Sequence, residues 1–190
     1  MSAWAADPWC SSRGTPALQF EWVPKNTAEP SIGSVQIKAA SGVVVQVIDN
    51  VENYRENSES LDTGRDWNND GCADLVVTRS VGGSGNESVD AFLYNPKIKQ
   101  FELNKALSDL GSPELDPNDR NCLTSSWKGG HSIFYGGRHC WSKGKLVMKS
   151  KYSVGPVDKN GEFHCYRHVT IDYRGGKKRK RTKCTKEWPP

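Results

Sequence analysis

From Ser34 onward, short β-branched and aromatic segments recur about every eight to twelve residues, each closed by a glycine-, proline- or asparagine-bearing turn, and no long helical period interrupts them. Such a pattern specifies an all-β chain of antiparallel hairpins with little helix. Ser34 to Lys38 alternates, Ala40-Ser41-Gly42 turns, and Val43 to Ile48 returns. Val89 to Tyr94 and Lys99 to Leu103 pair around Asn95-Pro96, and Cys140 to Met148 turns at Ser142-Lys143-Gly144. Leu123 to Trp127 and His131 to Tyr135 supply further strands. The one helix expected runs from Leu103-Asn104 to Leu110, with Asn104 as its cap. At 190 residues one core suffices. The division expected is therefore an irregular arm over 1–30, rich in proline and tryptophan, and a single domain over 31–190.

The most specific chemistry is Asp66-Trp67-Asn68-Asn69-Asp70-Gly71-Cys72-Ala73-Asp74. Hard cations such as Ca2+ take six to eight oxygens, and a loop supplies them at alternate positions around a glycine bend. Asp66, Asn68, Asp70 and Asp74 fit as side-chain ligands, with the Cys72 carbonyl between the last two. Position twelve of a helical calcium loop would be Val77, which has no ligand oxygen, so this loop is the shorter kind that Asp74 closes. Asp74 to Thr78 then reads as a buried strand. Asn-Asp-Gly also builds a plain surface turn with no ion. Any calcium here is structural, because no nucleophile or base adjoins it.

Six cysteines in a loop-rich chain, none in C-x-x-C pairs, point to three disulfides and an oxidising compartment, the periplasm or cell exterior. If Asp172 sits opposite Lys177 around Tyr173-Arg174-Gly175-Gly176, Cys165 falls opposite Cys184, and that bridge is expected. Cys10, Cys72, Cys122 and Cys140 leave three arrangements. Cys122 to Cys140 is preferred. The start Met1-Ser2-Ala3-Trp4 lacks a signal, and no membrane span is present. If the disulfides form, the expectation is that a leader precedes this chain in its precursor, where a lipid anchor is compatible with the sequence.

The net charge of +4 is unevenly spread: residues 174–190 carry eight Lys and Arg against one Glu, leaving 18 basic and 21 acidic residues elsewhere. Lys177 to Arg181 reads first as a solvated edge strand whose lysines block edge pairing. An acidic partner or nucleic acid is the alternative. Ser80 to Asn86 is glycine-rich but lacks a G-K-[ST] ending and a following helix, which excludes a phosphate loop. His131, His139, His164 and His168 are scattered rather than spaced as zinc ligands. Trp127 and Trp141 adjoin turns and suit exposed anchors. No nucleophile elbow, H-E-x-x-H or Cys-His pattern is present, and glycosidase work would need two of Asp90, Asp109 and Glu114 to meet. The chain reads as a non-enzyme.

Between about residues 60 and 150, the loop Asp66 to Asp74 with Leu75, then Gly83-Ser84-Gly85-Asn86, Ala91-Phe92-Leu93-Tyr94-Asn95, Phe101-Glu102-Leu103-Asn104, Leu107-Ser108-Asp109-Leu110 and Lys143-Gly144-Lys145-Leu146 resemble a family of bacterial periplasmic immunity proteins. These proteins protect against peptidoglycan-hydrolysing, lysozyme-like effectors of a xanthomonad type IV secretion system. The resemblance implies a propeller-like or sandwich-like calcium-bearing domain that binds such an effector one to one and blocks its cleft. Residues 1–30 and 155–190 carry no matching motif. An inhibitor of this kind presents donors to partly desolvated catalytic carboxylates. Lys128 to Tyr135, followed by Gly136-Gly137-Arg138, and the loop Ser84-Gly85-Asn86 are the local candidates. Partner-binding residues expected are Tyr135, His131, Lys128, Ser84 and Asn86, with Tyr135 foremost. A calcium-stabilised glycan- or protein-binding module outside the cytoplasm is the alternative.

Overall fold

A computed structural model describes residues 8–10, 18–130 and 132–187. It is all-β, built from three antiparallel sheets in sandwich-like style, and among the described residues no closed barrel forms. The chain gathers into two compact units, one of residues 1–81 with 87–109 and the other of 82–86 with 110–190, where the sequence reading drew a single domain.

The first unit holds two three-stranded meanders. One is β1 (Leu18–Pro24), β2 (Ile32–Ala39) and β3 (Val44–Glu52). The other is β4 (Leu75–Val81), β5 (Glu87–Asn95) and β6 (Gln100–Leu103). β1 corrects the irregular arm, because Leu18 onward pairs residue by residue with β2. Gly33 explains the close fit, since a Cβ there would lie 2.3 Å from the Val23 carbonyl. The alternating apolar positions Val35 and Ile37 of β2 join Leu75, Val77, Phe92 and Phe101 in the core. Gln46 of β3 meets the Phe101 main chain with both ends of its amide, accepting from N–H at 2.8 Å and donating to C=O at 2.9 Å. Trp9 adds its ring against Phe20 and Phe101 at 5.5 and 6.0 Å between centroids.

The expected helix shrinks to one turn, α1 (Lys105–Ser108). Asn104 caps it as expected, accepting from Leu107 N–H at 3.0 Å. Only Leu107 offers a fully buried apolar anchor, too little to hold a longer helix.

The second unit is one six-stranded meander: β7 (Glu114–Leu115), β8 (Cys122–Lys128), β9 (Phe134–Ser142), β10 (Lys145–Lys159), β11 (Glu162–Arg174) and β12 (Lys177–Thr185). Lys143 and Gly144 take positive φ at the β9–β10 turn, as two-residue hairpin turns require. The strand expected over His131 to Tyr135 begins only at Phe134, and His131 lies outside the described residues. β10 runs on to Lys159, a continuation that Gly155-Pro156 hid from sequence reading.

All three disulfides are formed: Cys10–Cys72, Cys122–Cys140 and Cys165–Cys184. Cys122 and Cys140 are direct cross-strand partners of β8 and β9. The last hairpin departs from expectation by two residues, because Gly175 and Gly176 alone form the turn and Arg174 meets Lys177. Cys184 then faces Arg167, and Cys165 reaches it diagonally. A two-residue slip keeps each side chain on its face, so the bridge survives the corrected register.

Candidate functional site

In the first unit the Asp66–Asp74 loop folds as its residue types require. Asn69 and Gly71 take positive φ, 57° and 91°, placing the bend at the expected glycine. Asp66 accepts from Gly71 N–H at 2.8 Å and from Asp70 N–H at 3.2 Å. Asp70 accepts from Cys72 N–H at 2.9 Å and from the Asn68 amide at 2.8 Å. The base closes through Asp74 N–H to the Arg65 carbonyl at 2.8 Å. Two further ties hold the loop to the core: the Cys10–Cys72 disulfide, and Trp9 Nε1–H donating to the Ala73 carbonyl at 2.6 Å.

Asp74 is fully buried, and its carboxylate accepts from Trp67 and Tyr94 N–H groups at 2.7 and 2.9 Å. Burial pushes its carboxyl up to about 7, with the nearby Asp70 and Asp66 charges adding to the rise against those two hydrogen bonds. Three carboxylates and an amide within nine residues are an all-oxygen set of the kind hard cations take, and a cation among them would offset the burial of Asp74. Asp66, Asn68, Asp70, the Cys72 carbonyl and Asp74 are the groups that could hold it.

The second unit brings Ser84, Asn86, Lys128 and Tyr135 to one end of its sheet. Asn86 is buried, and its amide accepts from Lys128 N–H at 2.7 Å while donating to the Lys128 carbonyl at 2.8 Å. Its polar atoms are thus engaged inside the protein. Ser84 of the same loop, by contrast, is exposed. Lys128 is exposed, with Nζ 5.6 Å from the Phe134 ring centre.

Tyr135 is 47% exposed and sits directly across from Trp127, itself 42% exposed. Both rings lie against glycines: a Cβ on Gly129 would come within 2.8 Å of Tyr135, and one on Gly111 within 2.5 Å of Trp127. The aromatic pair is therefore both solvent-facing and seated on backbone. Trp141, the other expected anchor, is instead buried.

Sequence reasoning missed the group that braces this sheet. Arg138 of β9 donates from Nε to Asp116 at 2.6 Å and from Nη2 to Asp119 at 2.8 Å, pinning the β7–β8 connection. The Arg138 hydrogen bond first, and Asn118 N–H second, hold the Asp116 carboxyl below its ordinary value of 3.8. A depressed carboxyl contributes stability that is present above its unfolded value and lost as pH falls through the folded one. Thermal melts between neutral and acid pH should show this acid limb. Asp116→Asn should flatten it, and an unchanged pH profile would remove the assignment.

Two groups with metal-like spacing resolve otherwise. His164 with Cys165 and Cys184, and Asp119 with Cys122 and Cys140, place their cysteines in disulfides, which removes the thiolates a metal would need. Asp90 and Asp109 pair with Arg79 and Lys105 at 3.0 and 3.4 Å.

No family model matches the sequence, and no curated protein matches it significantly. A solved structure described as that of a Xanthomonas Type IV Secretion System related protein does match in fold. The TM-score is 0.55 at 17% identity, over 90% of this chain and 85% of that one. The chain thus shares the fold of that protein. Among the described residues no helix is long and apolar enough to cross a membrane, and the disulfides are consistent with an extracytoplasmic protein.

Proposed function

We propose that this protein is a periplasmic inhibitor of the immunity type, which binds a lysozyme-like peptidoglycan hydrolase delivered by a type IV secretion system and blocks its cleft without turnover. The observation that carries this reading is the exposed Tyr135–Trp127 pair on a hairpin end that the buried Asn86 fixes in place. Rigid aromatic anchors beside a cation suit a small, tight interface, because little side-chain freedom is lost on binding. Tyr135 Oη and Lys128 Nζ are donors suited to the carboxylate pair of a glycoside hydrolase. The fold shared with a secretion-system-related protein supports the same partner class.

In the same reading, Asp66, Asn68, Asp70, Asp74 and the Cys72 carbonyl hold Ca2+. When bound, the ion supplies positive charge among carboxylates that otherwise repel. The protein's own groups fix the loop by its turn hydrogen bonds and the Cys10–Cys72 bridge. Calcium here serves folding, and inhibition depends on it only through stability.

Titrating the protein into peptidoglycan hydrolysis by lysozyme-like enzymes tests the reading, with saturable, stoichiometric inhibition expected. Asn86→Ala should weaken inhibition several-fold and destabilise the fold by about 2 kcal/mol, since two main-chain groups lose their partner. Unchanged inhibition and melting would remove the positioning role. The exposed Trp127 also favours a second reading, a glycan-binding module. That reading predicts binding to isolated cell wall with no hydrolase present.

A further inference from the structure

β12 is an edge strand, paired only to β11, and it carries the densest charge of the chain. Strand alternation places Lys177, Arg179, Arg181 and Lys183 on one face, and the register sets Arg174, Asp172, Thr170 and His168 beside them on β11. Asp172 is the acidic member of this row, and it is taken by Arg181 at 2.8 Å. Arg174, Lys177, Arg179 and Lys183 are all exposed. A groove of about 420 Å³ runs here, lined by Arg174, Lys177, Lys178, Arg179, Arg181 and Asp172. Five cations against one carboxylate leave it strongly positive.

Blocking edge-to-edge pairing needs only an occasional lysine. This surface has far more, and it includes arginine on the neighbouring strand, where no edge is exposed. The same face continues across the sheet to an aromatic: Arg181 is registered with Thr170, and Thr170 with Tyr152 of β10, which is 41% exposed. Tyr152 lies over Gly136, where a Cβ would come within 2.4 Å of its ring. Cations in a straight row, with a tyrosine held flat to the same face, suit a planar anionic surface with a polar–apolar boundary. The aromatic within the hairpin itself, Tyr173, turns to the opposite face with Lys178 Nζ 5.9 Å from its ring, so no tyrosine or tryptophan interleaves with the cations of the row, as stacking platforms do along single-stranded nucleic acid.

We propose that the β11–β12 face is a docking surface for an anionic phospholipid bilayer, with Arg174, Lys177, Arg179 and Lys183 against headgroup phosphates and Tyr152 at the interface. The disulfides favour lipid over nucleic acid as the polyanion, because in an oxidising compartment the membrane is the standing anionic surface. The acidic balance of the remaining chain, 18 basic against 21 acidic residues, would turn this face toward such a surface. The surface is separate from the Tyr135 anchor on which inhibition depends, so docking and inhibition can be scored independently.

Co-sedimentation with vesicles tests it, using phosphatidylcholine mixed with phosphatidylglycerol against phosphatidylcholine alone. Binding to the mixed vesicles alone is expected, weakening as salt screens the headgroups. Each neutralised cation should cost about five-fold, so Lys177→Gln, Arg179→Gln and Lys183→Gln together should lose roughly 100-fold. Lys177→Arg with Lys183→Arg should retain binding, which separates charge from folding. Equal binding to both vesicle types, no binding to either, a triple variant that binds like the parent, or capture by a DNA duplex in place of the mixed vesicles would each overturn the proposal.

Discussion

Asp70→Ala should remove the thermal stabilisation that the proposed calcium would give to the parent protein. An ion that binds only the folded state stabilises by mass action, about 2.7 kcal/mol at a hundred times its dissociation constant. In a chain of this length that corresponds to roughly 5–10 °C in melting temperature. Without the ion, the substitution removes only turn bonds, the acceptances from Cys72 N–H and the Asn68 amide, worth about 1 kcal/mol each in such a setting. The two contributions separate in one experiment. Melts of parent and variant should differ by about 2 kcal/mol in chelator and by roughly twice that or more in excess calcium. A parent protein whose melting ignores calcium would remove the metal from the account.

Tyr135→Ala is the second large effect. A half-exposed tyrosine at the centre of an interface typically carries 2 kcal/mol or more, so inhibition should weaken by at least about 30-fold. Because the ring rests on Gly129 at the surface, its removal leaves no cavity in the core, and the melting temperature should stay near the parent value. Trp127→Ala, removing the cross-strand neighbour, should give a smaller loss in inhibition. If Tyr135→Ala inhibits as the parent does, while Trp127→Ala abolishes binding to isolated cell wall, the glycan-binding reading takes its place.

Local chemistry was legible in the sequence where it is carried by neighbouring residues. The Asp66–Asp74 turn, its bend at Gly71 and the strand that follows depend on side chains within a few positions of one another, and they fold as read. The Cys165–Cys184 bridge was legible for a subtler reason. Two glycines with φ of 54° and 76° tighten the turn and shift the hairpin register by two, yet parity along a strand protects the pairing.

What escaped reading depends on contacts far apart in the chain. Asn86 looked like a donor offered to a partner, and only its meeting with Lys128, 42 positions away, shows that both ends of its amide are already used. Arg138 with Asp116 and Asp119, and Gln46 with Phe101, are likewise invisible to spacing. The division into two units has the same origin, because it rests on which hairpins stack rather than on any linker composition. Trp141 next to a turn was no different in sequence from Trp127, and only packing set one inside and the other out.

The most direct measurement is peptidoglycan hydrolysis by a panel of lysozyme-like enzymes, including any encoded beside this gene, titrated with the protein in calcium. Saturable inhibition of one enzyme at one-to-one stoichiometry is the predicted result. No inhibition across the panel, or hydrolysis by the protein alone, would contradict the account.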